Sequence, residues 1–193
     1  AQGNYTVDLR PEITLGVFSF NVTHEDEAKR NVFGDIRFRE AMSIAINRAE
    51  LNDVGFFGEG TPQQYIGFSP KPAFVSDKWM SHATEFDAAR ANSLLDEIGM
   101  KDTDGDGFRE LPNGDKLVLN MSFATQGIAG QTVELVGQYW ADVGVQSVVK
   151  EVTPDEFRSA QSANKLDVMM WRKSQPLALS LIHISEPTRL STI

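Results

Sequence analysis

The chain has 193 residues, of which 41% are hydrophobic and 23% are charged, a composition that predicts a folded globular protein and excludes a disordered one. Lys and Arg total 18 against 27 Asp and Glu, and the net charge of -9 without a basic cluster argues against nucleic acid as a partner. Cysteine is absent, which excludes disulfides and thiolate sites, and no apolar run approaches the roughly 20 residues that cross a bilayer. The polar opening AQGNYTVD has no leader pattern.

The first half of the chain predicts a buried strand, an amphipathic helix and a long loop. In ITLGVFSFN, residues 13–21, both parities carry apolar side chains, which predicts a strand covered on both faces. Behind Asp35, apolar residues recur at every third or fourth position as far as Ala49, which predicts one helix with Asp35 as its N-cap. Glycines and prolines punctuate residues 55–72, a long loop of the kind that often lines binding sites. Trp79, in a loop, is expected to cover the core.

The second half alternates helices and strands. A helix is predicted to begin after Asp87 and to end at Gly99, a residue suited to a left-handed C-terminal cap. Thr153 and Glu156 have the spacing of a capping box at the start of another helix. The other predicted elements are a strand over 117–123, a helix over 133–144 with Trp140 on its apolar stripe, and strands over 145–152 and 166–171. This order predicts an α/β lobe.

The stretch KDTDGDGFRELPN, residues 101–113, raises the question of bound calcium. Asp102, Asp104 and Asp106 match positions 1, 3 and 5 of an EF-hand loop, and Gly107 matches the glycine at its sharp turn. Position 12, however, is Asn113 where a bidentate Glu is needed, and Asn-Gly is a hairpin dipeptide. The stretch therefore predicts a turn without metal, with weak calcium binding by the three aspartates as the alternative.

No catalytic constellation stands out in the sequence. Glu25, Asp26 and Glu27 lie in a polar segment that lacks the environment needed to split the pKa values of an acid–base pair. His24 and His82 have no partner at metal-ligand spacing, and no nucleophile elbow, phosphate loop or dinucleotide fingerprint occurs. We therefore expect no enzyme activity, no metal and no cofactor, with turnover by Glu25 or Asp26 as the enzyme alternative.

Several motifs, taken in chain order, resemble one family. They are Phe20-Asn21, DIRFREAMSIAINRAEL from 35 to 51, the loop rich in glycine and proline, FDAARANSLLDEIGM from 86 to 100, DTDGDGFRE, and LDVMMW. Together they resemble the family 5 extracytoplasmic solute-binding proteins of ABC importers, which include peptide and oligopeptide binders. The pattern D-x-R-x-R-x-A-x-x-x-A-I-N-R over 35–48 and the 86–100 stretch are the most characteristic, and the resemblance covers roughly residues 10–172.

The resemblance implies one lobe of a two-lobed periplasmic-binding-protein-like fold, type II and cluster C, with a mixed sheet flanked by helices. Members of the family are several times longer than this chain, so the resemblance implies a fragment that covers mainly the second lobe and does not include the signal sequence. On this interpretation, residues 1–21 link from the missing first lobe and residues 22–175 form the second lobe.

The C-terminal residues do not follow this pattern. SLIHISEPTRLSTI, residues 180–193, has neither the helical nor the strand period and resembles the translation of a sequencing-adapter read-through. We expect residues 176–193 to be a non-native tail, so His183, Ser185 and Glu186 receive no catalytic role.

The resemblance also implies a ligand site in the cleft between the two lobes. Trp171 matches a family position that often faces the ligand, where an aromatic ring can stack on a peptide group or a sugar ring. In the typical peptide binders an Asp three residues later holds the ammonium group of the peptide; here that residue is Ser174, which leaves a sugar or a modified peptide open. Asn21, at the exit of its strand, and Gln64 and Tyr65, in the long loop, are further candidate ligand contacts.

The function implied is that of a receptor which captures an oligopeptide-like solute between lobes that close about a hinge and delivers it to a membrane permease. The expected partners are the solute and the permease of an ABC importer, and the expected state is a monomer in the periplasm or at the outer face of the membrane. Two alternatives stay open: a binder of a sugar or another solute on the same fold, and a calcium-dependent structural module.

Overall fold

The computed structural model describes residues 15–64, 72–124 and 128–173. The strands of these residues are β1 (Leu15–Phe20), β2 (Val118–Phe123), β3 (Gln146–Glu151) and β4 (Val168–Lys173). The helices of the same ranges are α1 (Glu27–Gly34), α2 (Ile36–Ile44), α3 (Arg48–Phe56), α4 (Asp77–Met80), α5 (Ala88–Glu97), α6 (Gly130–Asp142) and α7 (Pro154–Ser162). Of the described helices, none is long and apolar enough to cross a membrane.

The strands form two separate pairs that confirm the predicted α/β class. β1 pairs antiparallel with β4, with Leu15 opposite Lys173 and Phe20 opposite Val168. β2 pairs parallel with β3, and α6 is the crossover between them. β2 lies beside β4 without a ladder, and the backbone N–H of Asn120 donates to the Asp167 carboxylate at 2.8 Å.

The strand patterns predicted from the sequence match the observed burial. In β1, Val17 and Ser19 are buried on one face and Phe20 on the other, so the strand is covered on both sides. In β2, Leu119, Met121 and Phe123 are buried and the intervening residues are more exposed. One face of β2 therefore packs on the core, as the alternation predicts.

The aromatic core lies where β1, α1, α2 and α6 meet. Trp140 is 1% exposed, and its ring centroid lies 5.5 Å from that of Phe20 and 5.7 Å from that of Phe18. Its indole Nε1–H donates to the carbonyl of Met42 at 3.0 Å, which joins α6 to α2. Trp79 is different: on α4 it is 61% exposed, so its predicted role as a cover for the core is wrong.

The helical segment behind Asp35 is interrupted where the sequence predicts one continuous helix. Asp35 caps α2, as predicted, but α2 ends at Ile44 and α3 begins at Arg48. Asn47 is the N-cap of α3, since its side chain accepts the N–H of Glu50 at 3.3 Å. The Arg48 guanidinium donates to the carbonyl of Ser43 at 2.7 Å, so the Arg48 side chain provides a hydrogen bond to a backbone carbonyl in the last turn of α2.

Candidate functional site

Of the five predicted ligand contacts, the structure describes three: Trp171 in β4, Asn21 just after β1, and Gln64 in the loop after α3. Trp171 is in β4, opposite Val17 and two positions from the Leu15–Lys173 pair at the end of the ladder. Ser174 and Tyr65 lie outside the described residues. The structure thus places the backbone of Trp171 and the side chains of Asn21 and Gln64.

Asn21 follows β1 directly, is buried, and uses both ends of its side-chain amide within the fold. Its Nδ2 donates to the carbonyl of Leu166 and to Oδ1 of Asn164, each at 3.0 Å. Its Oδ1 accepts the backbone N–H of Thr23 at 3.1 Å and the Thr23 hydroxyl at 3.0 Å. The side chain therefore ties the end of β1 to the segment that precedes β4.

Gln64 fastens its loop to the elements on either side. Its backbone N–H donates to the carbonyl of Met80 at 2.7 Å, and its Nε2 donates to the carbonyl of His82 at 2.7 Å and to the Ser43 hydroxyl at 3.3 Å. Ser43 is buried and also accepts a bond from Arg48 Nη2 at 2.7 Å. Desolvation lowers the pKa of Arg48, and the nearby Glu85 charge opposes this shift.

A buried carboxylate that the sequence analysis did not single out lies just before β4. The Asp167 side chain is only 2% exposed, and its Oδ1 accepts Lys29 Nζ at 2.9 Å and His24 Nε2 at 3.1 Å. Its Oδ2 accepts the backbone N–H and the side-chain amide of Asn120 at 2.8 and 2.9 Å. One signal was available: an Asp within the apolar run LDVMMW is a polar residue in a strand that is otherwise buried, and such a residue needs partners.

His24 takes part in this network as an internal hydrogen-bonding residue. The backbone N–H of Asp26 donates to His24 Nδ1 at 3.0 Å, so the tautomer with its proton on Nε2 satisfies both this bond and the one to Asp167. Asp26 itself caps α1, a helix absent from the sequence prediction, by accepting the N–H of Lys29. That hydrogen bond is the main cause of the lowered pKa of Asp26, which keeps the carboxylate ionised and unsuited to donate a proton at neutral pH.

The aspartate stretch forms a tight turn held by its own carboxylates. Oxygens of Asp102, Asp104, Asp106 and Glu110 lie within 4.8 Å of one another. Asp102 accepts the N–H groups of Gly105 and Gly107 at 2.7 and 3.0 Å, and Glu110 accepts the N–H and hydroxyl of Thr103. These bonds are the turn contacts that the sequence predicts for Asp and Gly.

The ammonium group of Lys116 forms ion pairs with two carboxylates of this turn. Lys116 Nζ lies 2.7 Å from both Asp104 Oδ2 and Asp106 Oδ2. The hydrogen bond from Lys116 lowers the pKa of Asp106, and the two carboxylates raise the pKa of Lys116 well above its usual range. The positive charge that these aspartates attract is therefore supplied by the chain itself.

Among the described residues, these polar groups form internal hydrogen-bonding networks and turns and do not form a nucleophile–base pair. Glu25 and Glu27, the carboxylates of the enzyme alternative, are exposed beside Asp26.

A family model and several known proteins match this chain. A family model described as bacterial extracellular solute-binding proteins, family 5 Middle, matches residues 1–177. The oligopeptide-binding protein OppA is 33% identical, with a TM-score of 0.79 over 88% of this chain and 26% of that chain. The periplasmic alpha-galactoside-binding protein of Rhizobium meliloti (strain 1021) is 26% identical over 165 residues, which are 79% of this chain and 22% of that protein.

A third relative shows the fold alone. The periplasmic binding protein MelB from Agrobacterium fabrum, solved in complex with stachyose, is 21% identical with a TM-score of 0.67 over 84% of this chain and 26% of that chain. The chain thus spans between 22% and 26% of the length of these relatives. From its match over residues 1–177, the chain belongs to the family 5 bacterial extracellular solute-binding proteins, a family of binding proteins rather than enzymes.

Proposed function

We propose that the chain is part of the solute-binding receptor of an ABC importer and that it forms one wall of an interlobe cleft in which an oligopeptide-like solute is captured. The observation that carries this proposal is the family match over residues 1–177. The 33% identity to the oligopeptide-binding protein OppA supports an oligopeptide as the class of solute. The captured solute is then delivered to the membrane permease, without covalent chemistry.

A sugar is the second candidate solute. The relative from Rhizobium meliloti is named for binding alpha-galactosides and is 26% identical to this chain. An aromatic ring such as that of Trp171 suits either class, because it can stack on a sugar ring or on a peptide group.

Within this receptor we assign separate roles to the predicted site residues. Trp171, Ser174 and Tyr65 are the proposed solute contacts. We propose that Asn21 and Gln64 position the site, since their amides make the hydrogen bonds that hold the strand end and the loop. The proposed domain arrangement is a linking strand up to residue 21 and a second lobe from 22 to 175.

The test is calorimetric titration of the complete receptor, expressed from the recovered source gene, with oligopeptides and with alpha-galactosides in separate experiments. Heat and thermal stabilisation with oligopeptides are the expected result, because a ligand that binds only the folded state stabilises it. A response to alpha-galactosides alone would move the assignment to the sugar class, and no response to either would contradict the receptor function.

The role of Trp171 is tested by Trp171→Ala, for which we expect solute binding about tenfold weaker because the stacking contact is lost. Trp171→Phe should retain most of the affinity, since a ring remains. Phe57, which is 89% exposed at the end of α3, provides the control: Phe57→Ala should leave affinity unchanged. Equal effects of the Trp171 and Phe57 substitutions would contradict the assignment of Trp171.

A further inference from the structure

The hairpin turn that leads into β2 contains the one Asn-Gly dipeptide of the sequence, Asn113-Gly114. Both residues are exposed, and Gly114 has a φ of 89°. Among the described residues, no atom beyond its chain neighbours lies within 4 Å of the place where a Gly114 side chain would begin. Because glycine has no side chain, its backbone nitrogen can approach the amide carbon of the preceding asparagine. The turn therefore exposes the two groups that react when an asparagine deamidates, a known weakness of this residue.

The reaction uses only groups of the chain and water. The Gly114 nitrogen loses its proton and attacks Cγ of Asn113, so that a new C–N bond forms and the bond from Cγ to Nδ2 breaks. The amide nitrogen leaves with this proton as ammonia, and a cyclic imide remains. Water then adds to either carbonyl of the imide. The ring opens to aspartate, or to isoaspartate, in which the main chain runs through the former side-chain carbon.

The hydrogen bonds of this turn hold both reacting groups. The Gly114 N–H donates to the carbonyl of Leu111 at 2.8 Å, and the Leu111 N–H donates to the carbonyl of Asp115 at 2.8 Å. Asn113 Oδ1 accepts the N–H of Asp115 at 3.1 Å, and Asn113 Nδ2 donates to the Asp115 carboxylate at 2.6 Å. While these bonds are made, the Gly114 nitrogen keeps its proton and the Asn113 amide is fixed on Asp115. The turn therefore has to open before the ring can close.

Two Asp-Gly pairs in the neighbouring aspartate turn are held more firmly. The N–H groups of Gly105 and Gly107 donate to the carboxylate of Asp102 at 2.7 and 3.0 Å. A hydrogen bond to a charged group is stronger than one to a neutral carbonyl. The carboxylates that precede these glycines pair with the Lys116 ammonium, and an ionised carboxylate is a poor target for a nucleophile. The Asn-Gly pair, with its neutral amide and its N–H on a neutral carbonyl, is the reactive one of the three.

We propose that Asn113 deamidates spontaneously in the folded chain and that opening of its turn sets the rate. Either product removes the donor to Asp115 and places a second carboxylate beside it, in a chain whose net charge is already -9. The isoaspartyl product also lengthens the main chain between Leu111 and Asp115, whose hydrogen bond closes the hairpin. The modification therefore loosens the hairpin in front of β2. It follows from the chemistry of the turn and does not depend on the proposed receptor function.

The first test is peptide mapping of the 193-residue chain during incubation at mildly alkaline pH. The tryptic peptide of residues 110–116 contains a single asparagine, Asn113. This peptide should become one mass unit heavier and separate into aspartyl and isoaspartyl forms. The peptide of residues 91–101, with Asn92 in α5, should change at least about tenfold more slowly, because the helix engages the backbone nitrogens in its own hydrogen bonds. An unmodified peptide 110–116, or a faster change at Asn92, would overturn the proposal.

Asn113→Gln is the chemical control. Its longer side chain has to close a larger ring, in which the reacting groups are less well oriented, so the mass gain of peptide 110–116 should slow at least about tenfold. A mass gain that persists unchanged in this variant would place the reaction at another residue and would overturn the assignment of Asn113.

The control that the turn exerts is tested by unfolding the chain. In guanidinium chloride the Gly114 N–H no longer donates to Leu111, so Asn113 should deamidate about tenfold faster than in the folded chain. Equal rates in the two states would refute the role of the turn. A folded chain that stays unmodified while the unfolded chain converts completely would refute deamidation of the folded protein.

A pair of serine variants tests the same point without denaturant. Asp115→Ser removes the carboxylate that holds the Asn113 amide and should raise the rate in the folded chain about threefold. Asp155→Ser, the matched control, removes the same charge from an exposed position in α7 and should leave the rate unchanged. Equal rates in the two variants would contradict a turn that sets the rate through the contacts of Asp115.

Discussion

At the scale of single residues, one buried carboxylate links β2 to the segment that precedes β4. Asp167 accepts the backbone N–H of Asn120, a group that a flanking strand could otherwise have paired. β2 and β4 lie side by side but belong to two different strand pairs. Sequence pattern predicted both strands but could not predict this division, because the partner of Asn120 lies 47 residues away.

The two tryptophans Trp140 and Trp79 offer a matched test of the core. Trp140→Phe should lower the free energy of unfolding by about 2–3 kcal/mol, because the substitution leaves the Met42 carbonyl unpaired and a gap in the aromatic cluster. Trp79→Phe, at a largely exposed position, should change it by less than about 0.5 kcal/mol. Urea denaturation followed by circular dichroism gives both values, and similar losses for the two would contradict the described core.

The pKa of Asp106 should depend on Lys116. The folded-state pKa of Asp106 lies below the ordinary value of 3.8, so its contribution to stability is present above the unfolded pKa and is lost as the pH falls through the folded pKa. Lys116→Met removes the hydrogen-bonding ammonium, and the pKa of Asp106 should rise toward 3.8. A carboxyl NMR titration measures the change. Asp35 is the internal control, since Arg37 lowers its pKa independently, and a simultaneous rise there would point to a global change.

Calcium binding by the aspartate turn is tested by calorimetry. The Lys116 ammonium lies against Asp104 and Asp106, and backbone N–H groups occupy Asp102, so we expect no calcium uptake at about 1 mM, the weak extracellular range. Saturable binding to the wild-type chain, abolished by Asp104→Asn, would revive the calcium-dependent module.

At the scale of elements, the helix ends were predictable from sequence where a side chain caps its own helix. Asp35, Asp87 and Thr153 are N-caps as predicted, and Gly99 has the expected positive φ of 84° after α5. The break between α2 and α3 was missed because the apolar period continues through it, while Asn47 and Arg48 end one helix and start the next. α1 was missed because its start, Asp26 and Glu27, resembles an ordinary polar surface.

The capping box of α7 should contribute measurably to stability. Thr153 and Glu156 exchange both hydrogen bonds of the box, at 2.8 and 3.2 Å. Thr153→Ala should lower the free energy of unfolding by about 1 kcal/mol because the N–H of Glu156 loses its acceptor, the Thr153 hydroxyl. Thr153→Ser, which keeps the hydroxyl, is the conservative control and should behave nearly as the wild type in chemical denaturation. If Thr153→Ser lowered the free energy of unfolding as much as Thr153→Ala, the methyl group of Thr153 would matter rather than the cap.

The start of α6 offers a substitution that should stabilise the protein. Its N-cap, Ala129, is exposed, has extended backbone angles and makes no side-chain hydrogen bond to the helix. Ala129→Ser should therefore raise the free energy of unfolding, by about 0.5–1 kcal/mol. The same denaturation series measures it, and a destabilised variant would contradict the described start of the helix.

At the scale of the whole molecule, one strand pair joins the two ends of the described sequence. β1 ends at Phe20 and β4 begins at Val168, so the first and last described strands pair across the full length of the intervening fold. The chain spans 26% of the length of OppA, so the described fold corresponds to a part of that protein.

The C-terminal residues carry a prediction about the source gene. We propose that SLIHISEPTRLSTI is read-through sequence, and resequencing the DNA across the codons for residues 171–193 should show the frame departing from it. The residue at position 174 would then be established as a clue to the solute class. A frame that reproduces the tail in independent clones would contradict the proposal.

The sequence by itself determined the elements that depend on neighbours along the chain: the period of the helices and strands, their caps, the aspartate turn and the motifs that identify the family. These features need only contacts between residues a few positions apart, so local chemistry specifies them. Only the tertiary structure decided that Asp167, His24, Lys29 and Asn120 meet, that Asn21 is occupied within the fold, and that Trp79 is exposed. These outcomes depend on which distant segments fold together, and a buried polar group finds its partners only when that packing is complete.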